Sequence, residues 1–213
     1  TTAGSLLKEG KLVAFPTETV YGLGARADSD LSVKRIFEVK GRPSYNPLIL
    51  HVSSLAMANK IAVFDDESTQ LRKVLWPGPI TFVLPLKKNS GVSKLATAGL
   101  NTVAIRFPSS KIAQEVLRAA NTPIAAPSAN LSGKISPTSV DHVTAYLTGK
   151  VDAILDGGLS EIGLESTIIK TNPIRILRPG SITIQNIETI TGTKVLTEDK
   201  ETTISAPGQL KSH

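Results

Sequence analysis

The stretch from residue 40 to residue 51, KGRPSYNPLILH, constrains the fold most strongly, because one glycine and two prolines separate two apolar patterns there. Upstream, apolar residues recur at helical spacing, so a helix is predicted to end near Lys40, with Gly41 as its left-handed cap. Asp28 and Asp30 are the candidate N-caps of this helix. Downstream, an apolar run indicates a buried strand. The stretch is therefore predicted to be a rigid connection from a helix to a strand.

The polar side chains of this connection are Lys40, Arg42 and Asn46. A proline restricts the backbone of the residue before it, so Arg42 and Asn46 are both biased toward extended conformations. Two cations and an amide on a rigid turn are suited to binding an anion. The alternative is a solvated helix end, where the cations interact with the helix dipole.

Composition indicates one globular domain and an anionic partner. The chain has 213 residues, 40% of them hydrophobic, and Lys plus Arg exceed Asp plus Glu by 24 to 18. A net charge of +6 favours anionic ligands without identifying one. The absence of cysteine excludes disulfides and thiolate sites. No apolar run approaches the roughly 20 residues of a membrane span, and no secretion signal is evident, so we expect a cytoplasmic protein.

Apolar runs typical of strands alternate with helical patterns along the chain. An α/β fold follows, with an open mixed sheet, flanking helices and a basic cleft over one face. In the strand predicted at 102–106, alternation places Thr102, Ala104 and Arg106 on one face. The segments 164–170 and 174–178 are predicted to pair as a hairpin. Arg175 and Arg178 then point to opposite faces, so at most one of them enters the cleft.

The segment after the first predicted strand contains Thr17, Glu18, Thr19 and Tyr21, followed by glycines at 22 and 24 that permit tight turning. Residues 22–27 also satisfy a dinucleotide-binding fingerprint. That fingerprint requires a direct turn from strand to helix, and here the intervening segment is too long. Nicotinamide or flavin binding is therefore rejected.

The other polar residues do not fit two common kinds of site, a catalytic triad and a metal site. Ser128 and Asn130 follow a predicted strand, but no nucleophile elbow surrounds Ser128, and His142 lacks a matching acid for a triad. Thr138 is predicted either to cap the following helix or to contact phosphate. The three histidines are scattered, so no metal site formed by protein side chains is predicted.

Two motifs carry a resemblance to a known family. The sequences FPTETVYGLG at 15–24 and KGRPSYNPL at 40–48 resemble the YrdC-like family, whose best-understood members are L-threonylcarbamoyladenylate synthases. Further matches occur in the family's order at Arg106, Ser128, Ser166 and Arg178. They extend the resemblance to Gly180, which covers most of the chain. The resemblance implies a YrdC-like open twisted mixed sheet.

The resemblance also implies a reaction, in which L-threonine, bicarbonate and ATP condense to threonylcarbamoyl-AMP and pyrophosphate for tRNA modification. The residues expected to bind L-threonine are Thr19, His51, Arg106, Ser128 and Ser166. Those expected to bind ATP are Lys40, Arg42, Asn46, Thr102, Asn130, Thr138 and Arg178. Lys40, Arg42 and Ser128 are the expected catalytic residues. Catalysis would rest on orientation and charge neutralisation, without a protein nucleophile.

Cofactor and partner expectations follow from the same resemblance. Mg²⁺ is expected to arrive with ATP through phosphate oxygens, and no organic cofactor is expected. The expected downstream partners are proteins that transfer the threonylcarbamoyl group to tRNA, with weak RNA contact as a further possibility. Residues 1–199 are predicted to form the catalytic domain, and 200–213 an interdomain linker or tail.

Two other functions remain open from sequence. The first is a non-catalytic RNA-binding module, which the charge permits, although the nine aromatic residues form no stacking platform. The second is a carbamoyl-transferring relative that uses another amine acceptor.

Overall fold

A central mixed sheet organises the protein. The computed structural model describes residues 1–196 and 206–207. Within them the sheet has nine strands. These are β1 Val13–Pro16, β2 Tyr21–Arg26, β3 Ile49–His51, β4 Ile80–Pro85, β5 Thr102–Arg106, β6 Ile124–Ala125, β7 Ala153–Ile154, β8 Thr167–Lys170 and β9 Arg175–Arg178.

The strand order across the sheet is β7-β1-β2-β6-β3-β5-β4-β8-β9. Three neighbouring pairs are parallel, namely β1 with β7, β3 with β5, and β4 with β8. The other five pairs are antiparallel, and they include the predicted β8–β9 hairpin. The prediction of an open mixed sheet is confirmed.

Helices cover the sheet unevenly. Their bounds are α1 Thr2–Lys8, α2 Asp30–Lys40, α3 Leu55–Ile61, α4 Asp66–Leu75, α5 Lys111–Ala120, α6 Val140–Leu147 and α7 Ile184–Thr191. One face of the sheet forms the main core with α2, α3, α4, α6 and α7. On the other face, α1 and α5 cover only the part around β1 and β6. Among the described residues, no helix covers the middle strands on that second face, where Ala206 packs against Ile49 and Ala104.

Side-chain alternation in β5 places the predicted site residue Arg106 on this second face of the sheet. Val103 and Ile105 of β5 point into the main core, whereas Ala104 lies on the opposite side with Ile49 and Ile168. Arg106 shares the face of Ala104 because side chains on a strand alternate. The predicted alternation of β5 is confirmed.

The helix end before the connection also has the predicted geometry. Gly41 caps α2 in the left-handed conformation, with a φ of 61°. At the other end the prediction was wrong, because Ser29 is the N-cap and its side chain accepts a hydrogen bond from the Ser32 amide. Asp30 instead lies in the first turn, where a negative charge interacts favourably with the helix dipole.

The predicted turn at Gly22 and Gly24 is wrong, because both residues lie in β2 and pair with β1. Close packing explains the glycine at position 24. A Cβ atom there would lie 2.7 Å from Phe15 Cε1 and 3.0 Å from Ile124 Cγ2.

The predicted linker at 200–213 falls mostly outside the described residues. Its two described members are Ala206 and Pro207. Ala206 is fully buried against Ile49 and Ala104, and Pro207 is also buried.

Gly180 is a position where packing excludes a side chain. A Cβ atom there would lie 2.5 Å from the Thr167 amide nitrogen and 2.6 Å from the Glu165 carbonyl oxygen. We expect Gly180→Ala to lower the free energy of unfolding by about 1–3 kcal/mol, since rigid backbone would have to move. Urea denaturation measures this change. Gln185→Ala, an exposed substitution on α7, is the control and should stay within about 0.5 kcal/mol of the wild type.

Candidate functional site

An open cleft lies on the second face of the sheet. Its walls come from the segment between β1 and β2, the ends of β3 and β5, and the segments around Ser128 and Ser166. The lining residues are Thr17, Thr19, Val20, Tyr21, Gly22, Arg42, Ile49, His51, Arg106, Ala126, Pro127, Ser128, Glu165, Ser166, Arg178 and Pro207.

The connection after α2 presents Arg42 to this cleft. Its Nε donates to the Asn46 carbonyl at 3.2 Å and its Nη2 to the Pro47 carbonyl at 2.8 Å. These hydrogen bonds hold the guanidinium against its own loop, which agrees with the rigid connection predicted from the sequence. Burial lowers the pKa of Arg42 to about 10, although Glu165 acts in the opposite direction. The guanidinium thus remains charged at neutral pH.

Lys40 lies behind the cleft wall and is only 3% exposed. Its Nζ donates to the Ser128 carbonyl at 2.6 Å and also to the Asn130 carbonyl. Burial and the nearby Arg42 lower the pKa of Lys40 to about 7. Lys40 therefore connects α2 to the Ser128 wall and titrates near neutral pH.

Arg106 forms a buried ion pair at the other side of the cleft. Its Nη2 lies 2.6 Å from Glu18 Oε1, and both side chains are at most 4% exposed. Its Nη1 donates to Thr19 Oγ1 at 2.9 Å. Burial acts to raise the pKa of Glu18, but the charge and hydrogen bond of Arg106 outweigh it and lower that pKa. Both members of the pair are therefore charged.

His51 lies beside this pair at the end of β3, and the two strand ends are in register, with His51 opposite Arg106. Burial, aided by the charge of Arg106, lowers the pKa of His51 to about 3. The imidazole is neutral at physiological pH. Its Nδ1 lies 3.3 Å from the Ile49 carbonyl, which can only accept, so Nε2 is left as an acceptor.

Ser166 contacts both Arg178 and Thr81. Arg178 donates to the Ser166 carbonyl from Nε at 3.1 Å and from Nη2 at 2.9 Å, and it also pairs with Glu165. The Ser166 hydroxyl lies 2.8 Å from that of Thr81, which is fully buried on β4. Burial lowers the pKa of Arg178, against the opposing charge of Glu165. Ser166 is thereby held in one orientation.

The structure places most of the predicted site residues around this cleft. Those that line it are Thr19, Arg42, His51, Arg106, Ser128, Ser166 and Arg178. Lys40, Asn46 and Asn130 lie directly behind the lining and are buried. Arg178 lines the cleft and Arg175 does not. The predicted alternation of these two arginines is wrong, because a bulge in β9 sets Arg178 opposite Ile168 and Arg175 opposite Lys170, which places both on one face of the sheet.

Two predicted nucleotide residues lie apart from the lining. Thr102 begins β5, four residues from Arg106, and pairs with Pro85. Thr138 lies in the loop before α6, where its hydroxyl is 3.4 Å from His142 Nδ1. Ser139 is the N-cap of α6, so the capping alternative for Thr138 was wrong. Contacts of Thr102 and Thr138 with nucleotide stay predictions.

Sequence reasoning gave no separate role to three residues that hold the site together. Glu18 and Glu165 pair with the two arginines, and Thr81 contacts Ser166. The two glutamates stand beside Thr19 and Ser166 in the recognised motifs, which was the available signal. Thr81 had only a weak signal, as a hydroxyl within an apolar strand.

Residues 1–196 and 206–207 contain no group of three or more His, Cys, Asp and Glu side chains arranged to hold a metal ion. Among the same residues, no helix combines the length and the apolar character that crossing a bilayer requires.

The nine-stranded mixed sheet of the described residues, its flanking helices and its cation-lined cleft define an α/β protein. Residues 5–180 match the Sua5/YciO/YrdC family, described as telomere recombination. The chain therefore belongs to the Sua5/YciO/YrdC family.

Curated relatives support this membership. The chain is 50% identical over 193 residues to the threonylcarbamoyl-AMP synthase of Pyrococcus abyssi, a match that covers 89% of this chain and 56% of that protein. It is 46% identical over 219 residues to the threonylcarbamoyl-AMP synthase of Bacillus subtilis, covering 99% of this chain and 62% of the relative. The chain thus spans about three-fifths of the length of these relatives.

Solved structures agree with the fold. The crystal structure of P. abyssi Sua5 complexed with L-threonine is similar at a TM-score of 0.92 and 46% identity, over 98% of this chain and 62% of that one. Escherichia coli YciO is similar at a TM-score of 0.77 and 24% identity, over 87% of this chain and 91% of that one. The second similarity concerns the fold alone.

The pKa of Lys40 makes stability depend on pH. Because its pKa is about 7 when folded and 10.5 in its ordinary environment, burying the charge costs stability fully below pH 7, and the cost disappears as pH rises toward 10.5. Relative to Lys40→Met, the wild type should gain on the order of 3 kcal/mol between pH 6.5 and pH 9.5. Urea denaturation of both proteins at the two pH values measures the gain. A pH-independent difference would contradict the buried, shifted amine.

Proposed function

We propose that this chain condenses L-threonine, bicarbonate and ATP to L-threonylcarbamoyladenylate, with release of pyrophosphate. The observation that carries the proposal is the presence of two buried cations, Lys40 and Arg42, that form no ion pair with a carboxylate of the described residues. Backbone carbonyls hold them instead. Arg42 keeps its charge at neutral pH, and an anion such as a polyphosphate beside Lys40 would favour the charged form of its amine.

Two buried amides support a nucleotide as that ligand. The side-chain oxygens of Asn46 and Asn130 are buried without a hydrogen-bond partner among the described residues. A buried acceptor without a donor is costly, and a shift of either amide toward the cleft would let an amino group or a hydroxyl of a nucleotide supply the donor. Asn130 Nδ2 is already engaged, since it donates to the Leu131 and Lys134 carbonyls.

The other side of the cleft is suited to an amino acid. Arg106 offers a guanidinium for a carboxylate, and Thr19, His51 and Ser166 offer groups for an amine or a hydroxyl. The L-threonine complex of P. abyssi Sua5, at 46% identity, supports threonine as the amino acid. Ser128 lines the same cleft and is the proposed contact of the carbamate.

The reaction then needs no covalent intermediate with the protein. Bicarbonate loses hydroxide to give carbon dioxide, and the threonine amine forms an N–C bond to its carbon. The proton that the amine loses combines with the hydroxide as water, which leaves the carbamate. A carbamate oxygen bonds to the α-phosphorus as the bond from that phosphorus to the β-phosphate oxygen breaks, and pyrophosphate leaves. The chain supplies orientation and positive charge for these steps.

We infer that Mg²⁺ accompanies ATP and is bound mainly through phosphate oxygens, because the described residues offer no carboxylate cluster for it. Glu165 is the carboxylate that lines the cleft, and it pairs with Arg178. Proteins that transfer the threonylcarbamoyl group to tRNA are the proposed consumers of the product, in the cytoplasm.

Pyrophosphate release with ATP and bicarbonate, in the presence and absence of L-threonine, tests the proposal. Release should require L-threonine. Arg42→Ala should lower kcat/KM by about 100-fold or more, because a fixed cation next to the phosphates is lost. Arg118→Ala removes an exposed arginine on α5 and serves as the matched control, with unchanged activity expected.

Two outcomes would reject the proposed reaction. Equal pyrophosphate release without L-threonine would remove threonine as the acceptor. RNA binding with a steep dependence on salt and no ATP consumption would favour the RNA-binding module instead.

A further inference from the structure

Glu18 is a buried carboxylate that the proposed reaction does not use directly. It is 3% exposed and is absent from the cleft lining. Its Oε1 pairs with Arg106, and its Oε2 accepts from the Ser110 amide at 3.3 Å. Ser110 is the N-cap of α5, so the carboxylate lies at the positive end of a ten-residue helix. Glu18 is therefore held by a rigid element on one side and by Arg106 on the other.

The hydrogen bonds of Arg106 leave two N–H groups available. A guanidinium has five N–H donors. Nε donates to the Gly78 carbonyl at 3.4 Å, one hydrogen of Nη1 goes to Thr19, and one of Nη2 goes to Glu18. Among the described residues, one donor on each terminal nitrogen has no acceptor. Two free donors, one on each terminal nitrogen, are the number that a bidentate carboxylate takes.

The ion pair also makes the two sides of the cleft electrostatically different. Glu18 cancels the charge of Arg106, whereas Lys40 and Arg42 have no ion-pair partner among residues 1–196 and 206–207. Opposite charges attract more strongly where water is excluded. A polyphosphate is thus favoured beside Lys40 and Arg42, and a zwitterionic amino acid is favoured beside Arg106.

We infer that Glu18 is a positioning residue that fixes Arg106 for the carboxylate of the amino-acid substrate and keeps polyphosphate away from that side of the cleft. The inference rests on the proposed function, since it assigns L-threonine to the Arg106 side. Glu18 acts only through Arg106 and contacts no substrate.

The test is calorimetric titration of wild type and Glu18→Gln with L-threonine and with L-threoninol, which lacks the carboxylate. Glu18→Gln should weaken L-threonine binding by about tenfold or more, because Arg106 loses its orientation. Binding of L-threoninol should change by less than about twofold. Pyrophosphate should compete with L-threonine in Glu18→Gln and leave its Kd unchanged in the wild type, because only the variant has an uncancelled charge on Arg106.

Glu38→Gln is the matched control, because it removes an exposed carboxylate from the Lys34 pair on α2. It should bind both ligands as the wild type does. Glu18→Asp keeps the charge but shortens the side chain, and it replaces Glu18→Gln if the latter does not fold. A several-fold loss of L-threonine affinity with unchanged L-threoninol affinity would again support the inference.

Results that contradict the positioning role can be told apart from results that contradict the proposed reaction. Equal losses for L-threonine and L-threoninol, or no loss for either, would overturn the positioning role while leaving the proposed reaction in place. A wild-type protein that does not bind L-threonine would overturn the proposed reaction and the inference together.

Discussion

Desolvation of positive charge is the constraint on which this site depends. Lys40, Arg42 and Arg106 are each less than 9% exposed, yet an isolated charge in a protein interior is strongly unfavourable. The chain compensates in two ways. Backbone carbonyls surround Lys40 and Arg42, whereas carboxylates pair with Arg106 and Arg178. Arg106 and Arg178 each have a carboxylate partner, whereas Lys40 and Arg42 have none among the described residues.

The partners of these cations come from distant parts of the chain, so the site depends on the whole sheet. Lys40 reaches carbonyls 88 and 90 residues away, and Arg106 pairs with Glu18 across 88 residues. The parallel pairing of β3 with β5 brings His51 opposite Arg106. No helix of the described residues covers these strands on the cleft face, so the ends of β3 and β5 line the cleft. The sheet thereby brings cations from distant segments to one cleft.

Sequence reasoning predicted the parts of this arrangement that local chemistry controls. The left-handed cap at Gly41, the alternation of Arg106 with its neighbours and the β8–β9 hairpin all follow from local preferences of the backbone, and all three are confirmed. The turn expected at glycines 22 and 24 was wrong, since both lie in β2, and Gly24 is instead required by packing against Phe15 and Ile124, a contact that is not local. The N-cap of α2 was misplaced by one residue, since Ser and Asp are almost equivalent at that position.

The amino-acid sequence by itself determined the class of fold, the family resemblance and most of the residues that surround the cleft. Strand alternation, helix caps and motif spacing depend on residues that are close together in the sequence, so they can be recognised without a structure. Only the tertiary structure decided which charges are paired. Glu18 pairs with Arg106, and Glu165 pairs with Arg178. Lys40 and Arg42 donate hydrogen bonds to backbone carbonyls instead. The physical reason is that an ion pair depends on distance and burial, and both are set by strand order rather than by position along the chain.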